Sequence, residues 1–293
     1  MSTLLPTIES LGTIWHIEIF EDISSQEKKD LHLKISAELQ RFNDTYSRFL
    51  PTSLVSRLNN ERMIIDPPQE FKELLQIAVE WYIRTEGAFN ILVEDELVRR
   101  GYDAAYSFRE AHQTPKPPSS LNTSLTISDN CVQLSEGRID FGGFGKGYAI
   151  DTIATLLKNN NIQYFLINGG GDMYVTSNNE EAVDIFLEHP TIKQAYLAKV
   201  ALKNQGFASS STHTRRWGDH EKHHIVNTTS NDTSYDASYV VAKNTVTADI
   251  VATTSLFALK HIQTQDTKTA YAVYNIKEEK LLTSSNFTNL TIL

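Results

Sequence analysis

Apolar residues recur along this chain with two periods, and the places where the period changes mark the elements. Residues 14–20, IWHIEIF, alternate along the chain and predict a half-buried strand. Ser24-Ser25-Gln26-Glu27 then has the form of a capping box, and Leu31, Ile35, Leu39 and Phe42 follow at helical spacing. Asp66-Pro67 reads as an N-cap followed by a first-turn proline, opening a second helix with the stripe Phe71, Leu74, Leu75, Ala78 and Tyr82. The Pro/Ser-rich run 112–124 predicts a surface loop, and 125–135 a hairpin turning at Ser128-Asp129-Asn130. Ile150, Ile153, Ala154 and Leu157 form a third helical stripe that stops at Asn159-Asn160-Asn161. The short apolar run 163–168 is a buried strand running into Gly169-Gly170-Gly171-Asp172.

Beyond it, strands are expected at 183–187, 195–202, 238–243 and 270–276, with one helix at about 248–260 and further strands within 261–293. Strands and helices do not alternate strictly and no repeat is present, which predicts an α+β fold; 293 residues could hold one large domain or two ordinary ones.

Composition narrows the function more than the fold. With 40% hydrophobic and 22% charged residues and a net charge of −9, the chain reads as a globular protein that binds neither nucleic acid nor an anionic membrane surface. Its one cysteine, Cys131, excludes an intrachain disulfide and a cysteine-based zinc site, and most simply fills a strand position. No apolar run reaches membrane-spanning length, and the N-terminal residues lack a basic start followed by an apolar core. A cytoplasmic location is the expectation.

Candidate chemistry concentrates in 140–151, DFGGFGKGYAID. Glycines there allow close backbone approach, commonly to a phosphate. The P-loop is nevertheless excluded, because Gly147 and not Ser or Thr follows Lys146; the dinucleotide fingerprint fails at Tyr148. Lys146 can neutralise phosphate charge or cover a surface. Asp249 and Thr253 stand four apart in TADIVATT, on one helix face that Thr247 could cap. Together they fit a hard-cation site, since Mg²⁺ takes one or two carboxylates and shares substrate phosphates; the plainer alternative is a threonine bonded back to its own helix and an aspartate complementing the dipole. The histidines of 212–224 (His213, His220, His223, His224) lie in a polar segment that reads as a solvated loop or a zinc cluster. His224, opening the string His-Ile-Val, is a candidate general base.

Taken in order, these segments resemble the ApbE family of flavin transferases, from about Leu11 to Lys260. Leu11-Gly12-Thr13 resembles its M-G-T opening, and Tyr46–Phe49 with Ser53–Asn59 its serine-rich segment ending in asparagine. Gly87-Ala88-Phe89-Asn90 resembles its G-x-F-D/N element. DFGGFGKGYAID, LINGGGD and TADIVATT resemble three further signatures. The resemblance implies a single large T-fold-like α+β domain over 1–293, with mixed or antiparallel sheets and flanking helices, and a reaction that breaks the FAD pyrophosphate, moves FMN onto a Ser/Thr hydroxyl of an acceptor flavoprotein and releases AMP. It implies Mg²⁺ held by Asp249, Thr253 and the Gly143 carbonyl, with Asp249 and the base His224 as catalytic residues. It further implies FAD contacts from Leu11, Phe49 (stacking on a ring), Ala88, Phe89, Asn90, Asp140, Lys146 and Ile225.

The chain departs from the family pattern at Leu11, at Leu92, at Ser209-Ser210-Ser211-Thr212 and at Asn227-Thr228. The last two segments would border the acceptor's entry. Two other readings therefore stand beside transfer: hydrolysis of FAD to FMN and AMP, and a non-catalytic flavin-binding protein.

Overall fold

The computed structural model describes residues 2–111, 114, 116–177, 181–213, 216–217, 222–223, 225–227, 234–265 and 269–293. Its centre is a nine-stranded sheet in the order Thr3–Leu4, Thr13–Ile19, Phe165–Gly169, Asp172–Thr176, Gln205–Ser211, Ala237–Ala242, Ala270–Asn275, Lys280–Thr283, with Ile8–Ser10 added beside Thr13–Ile19. Every pairing recorded among the described strands, in this sheet and the smaller ones, is antiparallel. The α+β expectation holds.

Helices Gly145–Asn159 and Thr245–Gln265 cover one face of the sheet. The other face packs against the small sheet Leu290–Ile292, Tyr196–Leu202, Val183–Glu188. Ala237–Ala242 is consequently buried at every position: Val240 and Ala242 enter the helix-side core, while Ala237, Tyr239 and Val241 enter the other. A strand buried on both faces shows a continuous apolar run, which is how the sequence presents it.

The expected helix over the capping box runs Ser25–Tyr46. Glu27 N–H donates to Ser24 Oγ, Ser24 N–H donates to Glu27 Oε2, and the predicted stripe is buried together with Tyr46. Trp15, Ile17 and Ile19 form the buried face of Thr13–Ile19. The hairpin is present as Leu125–Ile127 and Cys131–Leu134, and the third helix stops where Asn161 turns left-handed, φ 64°.

Two boundaries differ from expectation. The second helix starts at Gln69, not at Pro67. Pro68 bars Pro67 from helical ψ, and Asp66 sits at φ 49° instead of capping. Within that helix Trp81, and not Tyr82, completes the buried stripe. The loop at 112–124 ends in a short helical turn, Leu121–Ser124; residues 112, 113 and 115 lie outside the described set.

Candidate functional site

The glycine-rich segment is where two helices meet end to end. Asp140 anchors it: its N–H donates to Ile91 O (2.8 Å), and its Oδ1 accepts from Gly142 N–H (3.0 Å). Gly145 N–H closes on Phe141 O (2.7 Å), and the Gly145–Asn159 helix begins without a side-chain cap from Phe144. The cap comes instead from the other helix, because Gly147 N–H donates to Asp249 Oδ2 (3.1 Å). The relation is reciprocal: Asp151 of the first helix accepts from Thr245 and Val246 N–H (2.9 Å each) at the start of the second. Thr247 does not cap that helix; its own N–H donates to Asn244 Oδ1. Each N-terminus thus has an unsatisfied, positively polarised end completed by a carboxylate from its neighbour.

This crossing explains Gly147 differently from the sequence. A Cβ there would lie 2.7 Å from Thr245 O and 2.9 Å from Asp249 Cβ. The missing side chain admits the second helix, not a ligand. At Gly143 a Cβ would meet only Phe89 at 3.6 Å.

Lys146 projects from the first turn into a pair of carboxylates. Its Nζ contacts Asp172 Oδ2 and lies 3.6 Å from Asp249 Oδ2. Asp172 follows a two-glycine hairpin turn, Gly170 (φ 75°) and Gly171 (φ 100°), whose positive φ values require glycine and bring the strand straight back. Gly171 N–H donates to Asn168 Oδ1, and Ser209 N–H donates to Asp172 Oδ1. Asp172 and Asp249 are 1% and 3% exposed. Burial pushes the Asp249 carboxyl well up, opposed by the Lys146 charge and reinforced by Asp172. Thr253 does not bond back to its helix in the recorded contacts; its Oγ1 pairs with Ser210 Oγ (3.1 Å), one turn along from Asp249. The back-bonding alternative belongs to Thr254, which donates to Ile250 O.

These groups open onto a cleft of about 370 Å³. It collects Ala88, Phe89, Asn90, Asp140, Gly143, Lys146, Ile225, Asp249 and Thr253, nine of the positions that the sequence marked. Leu11 and Phe49 line a second, aromatic cavity of about 640 Å³, and Tyr102, Asp140, Gly142 and Lys146 belong to both. His224 and Thr228 lie outside the described residues, as does His220. His213 pairs with Asp236 (3.2 Å) and does not line either cavity.

Two site residues were missed. Asp172 was legible only as the end of a glycine turn after a buried strand. Arg48 is buried at the junction of the cavities, with Nε 3.4 Å from Asp140 Oδ2, Nη2 donating to Tyr102 O (2.8 Å), and Cζ 4.1 Å from the Phe49 ring centre. Nothing in its spacing set it apart from a surface arginine.

The donor set suits a hard, oxygen-seeking cation. Two buried carboxylates meet a single ammonium, and the paired hydroxyls of Thr253 and Ser210 line the same cleft; no group of three or more His, Cys, Asp or Glu that could hold a metal occurs among the described residues. A divalent ion bound by so few protein ligands needs phosphate oxygens or water to complete its shell.

A model of the ApbE family matches residues 11–276, beyond the span expected from the motifs. The chain is 24% identical over 223 residues to the FAD:protein FMN transferase of Haemophilus influenzae, covering 69% of this chain and 64% of that protein. It is 22% identical over 220 residues to the Escherichia coli K12 protein of the same name, 70% and 62% being covered. The chain thus spans a little under two thirds of these relatives' length. Among solved structures, the ApbE protein of Thermotoga maritima superposes with a TM-score of 0.84 at 18% identity, and flavin transferase ApbE of Vibrio cholerae with 0.79 at 20%; both comparisons cover 98% of each chain.

Proposed function

The chain belongs to the ApbE family, and on that premise we propose that it is an Mg²⁺-dependent FAD:protein FMN transferase. Its acceptor is a flavoprotein presenting a Ser or Thr hydroxyl. The acceptor oxygen forms a bond to the FMN phosphorus, the pyrophosphate P–O bond breaks, AMP leaves, and the hydroxyl proton passes to a base. His224 is proposed as that base.

Asp249, Thr253 and the Gly143 carbonyl are the proposed Mg²⁺ ligands, and Asp172 joins them as the second buried carboxylate at the same ammonium. The ion would supply charge neutralisation on the pyrophosphate oxygens. The observation that carries the reading is Lys146, held between two buried aspartates where two helix N-termini meet and where both cavities open. Its ammonium would offset charge on the FAD pyrophosphate and on the phosphate of the departing AMP, and the polarised N–H ends favour the same charge. No protein nucleophile is required, because positioning and electrostatics account for most of the barrier reduction in phosphoryl transfer. Ala88, Phe89, Asn90, Asp140 and Ile225 line the nucleotide's path, and Leu11 and Phe49 receive one of its rings.

Incubation with FAD and Mg²⁺, with and without candidate acceptor flavoproteins, tests the reading. Stoichiometric AMP and flavin fluorescence that stays on the denatured acceptor are expected. FMN released into solution with AMP would identify a hydrolase, and bound FAD without AMP a carrier.

A further inference from the structure

In the conformation described, Phe49 in the aromatic cavity already has a ring stacked on it. Phe49 is stacked on Tyr106, with ring centres 5.0 Å apart and planes 19° from parallel. Tyr102 meets the same phenylalanine edge-on at 5.8 Å, and the Arg48 guanidinium lies over it. Tyr106 therefore holds a stacking position on Phe49 that an incoming ring would need.

The segment carrying Tyr106 is strained and partly exposed. Tyr106 and Phe108 both sit at left-handed φ, 49° and 50°, a region costly for bulky side chains. Both are 45% exposed, so little burial holds them there. The loop closes at Gly101, φ 93°, where a Cβ would lie 2.4 Å from Arg109 N, and where Phe108 N–H returns to Gly101 O (2.8 Å). Asp103 organises its interior by accepting from Ala105 N–H, Ser107 N–H and Ser107 Oγ. Phe108 leans on Trp217 at 5.4 Å, which ties the loop to the far wall. The loop is a compact unit that closes on itself at Gly101 and carries Tyr106 against Phe49.

We propose that Tyr106 is an intramolecular gate: its ring occupies the stacking place on Phe49, and the 101–109 loop swings away to admit the ring of the flavin nucleotide. The proposal rests on the reading that this cavity receives a ring of FAD. Opening separates the Tyr106–Phe49 pair and releases Tyr106 from its left-handed backbone. Binding then competes with a contact already made, so the intrinsic affinity is reduced by the fraction of molecules that are closed.

The test is flavin binding to wild type and Tyr106→Ala, followed by flavin fluorescence at equilibrium and in stopped flow. Tyr106 is exposed, and comparable thermal unfolding of the two proteins checks that the variant folds. The variant is expected to bind FAD about three- to tenfold more tightly, the range that one aromatic pair contributes. Wild-type association rates should level off at high FAD concentration, as opening becomes limiting, while those of the variant keep rising linearly. FAD bound equally or more weakly by Tyr106→Ala, or linear rates in wild type, would overturn the gate and leave the flavin reading standing. No FAD binding by either protein would overturn both.

Discussion

The two cavities share Asp140 and Lys146 yet are built in opposite ways. The polar cleft is made of residues far apart in sequence and fixed several times over. Asp249 caps one helix while facing Lys146, Asp151 caps the other, and Asp172 is held by a glycine turn and a strand N–H. One wall of the aromatic cavity is a short local loop with exposed rings and two strained residues. Charge that must be neutralised at a reacting phosphorus calls for groups that do not rearrange. A flat ring that must enter and leave calls for a wall that does. The comparison predicts that substitutions in the cleft damage folding and chemistry together, whereas those in the aromatic wall alter binding and spare stability.

The largest effect is expected at Lys146. Lys146→Met leaves the buried Asp172 carboxylate without its cation and should cost about 3 kcal/mol in urea unfolding, the scale for breaking a buried ion pair. Gly147→Ala follows at ~2 kcal/mol, because a methyl must be forced against the Thr245 carbonyl. A loss below ~0.5 kcal/mol would mean that the helices part easily, and the rigidity ascribed to the cleft would fail.

The regions also differ in the sign of their pH dependence. Asp249 in the folded protein keeps its proton up to about 7, against an ordinary value of 3.8, chiefly through desolvation. Its contribution to stability is complete below the unfolded value and is lost as pH rises through about 7, measured without divalent cation. His223, paired in register with Arg216 of the aromatic cavity, is pushed down from 6.5 to about 4 by burial and then by the Arg100 and Arg216 charges. Its contribution is present above 6.5 and lost as pH falls toward 4. Asp249→Asn should flatten the neutral limb of a stability–pH curve and His223→Gln the acid limb. A single variant that flattened both would dissolve the distinction.

The smallest stability effect belongs to the ring wall. Phe49→Ala should change unfolding free energy by ~1 kcal/mol or less while weakening FAD binding about tenfold.

How far the sequence disclosed this arrangement depended on how local each signal was. The period-two and helical stripes placed the Thr13–Ile19 strand and the Ser25–Tyr46 and Gly145–Asn159 helices, because burial there is one-sided. Gln205–Ser211, a central strand of the sheet, escaped: its sequence QGFASSS has no alternation, since polar side chains from it face the cleft. Asp249 and Thr253 were legible because one helix carries both. Asp172 and Arg48 were not, since their partners, Lys146 and Asp140, stand on other elements and only tertiary contact joins them. The glycines of 140–147 signalled close approach correctly, but for Gly147 the approaching group is a helix.

The central claim is that this cleft neutralises a metal-bound pyrophosphate. AMP release from FAD in the presence of an acceptor flavoprotein, by wild type and Asp249→Asn, each with and without Mg²⁺, tests it most directly. The account predicts release by wild type only with Mg²⁺ and a fall of about a hundredfold or more in the variant, on the scale of losing one electrostatic stabiliser of the transition state. Release that is undiminished in Asp249→Asn, or that proceeds equally without the cation, would contradict it.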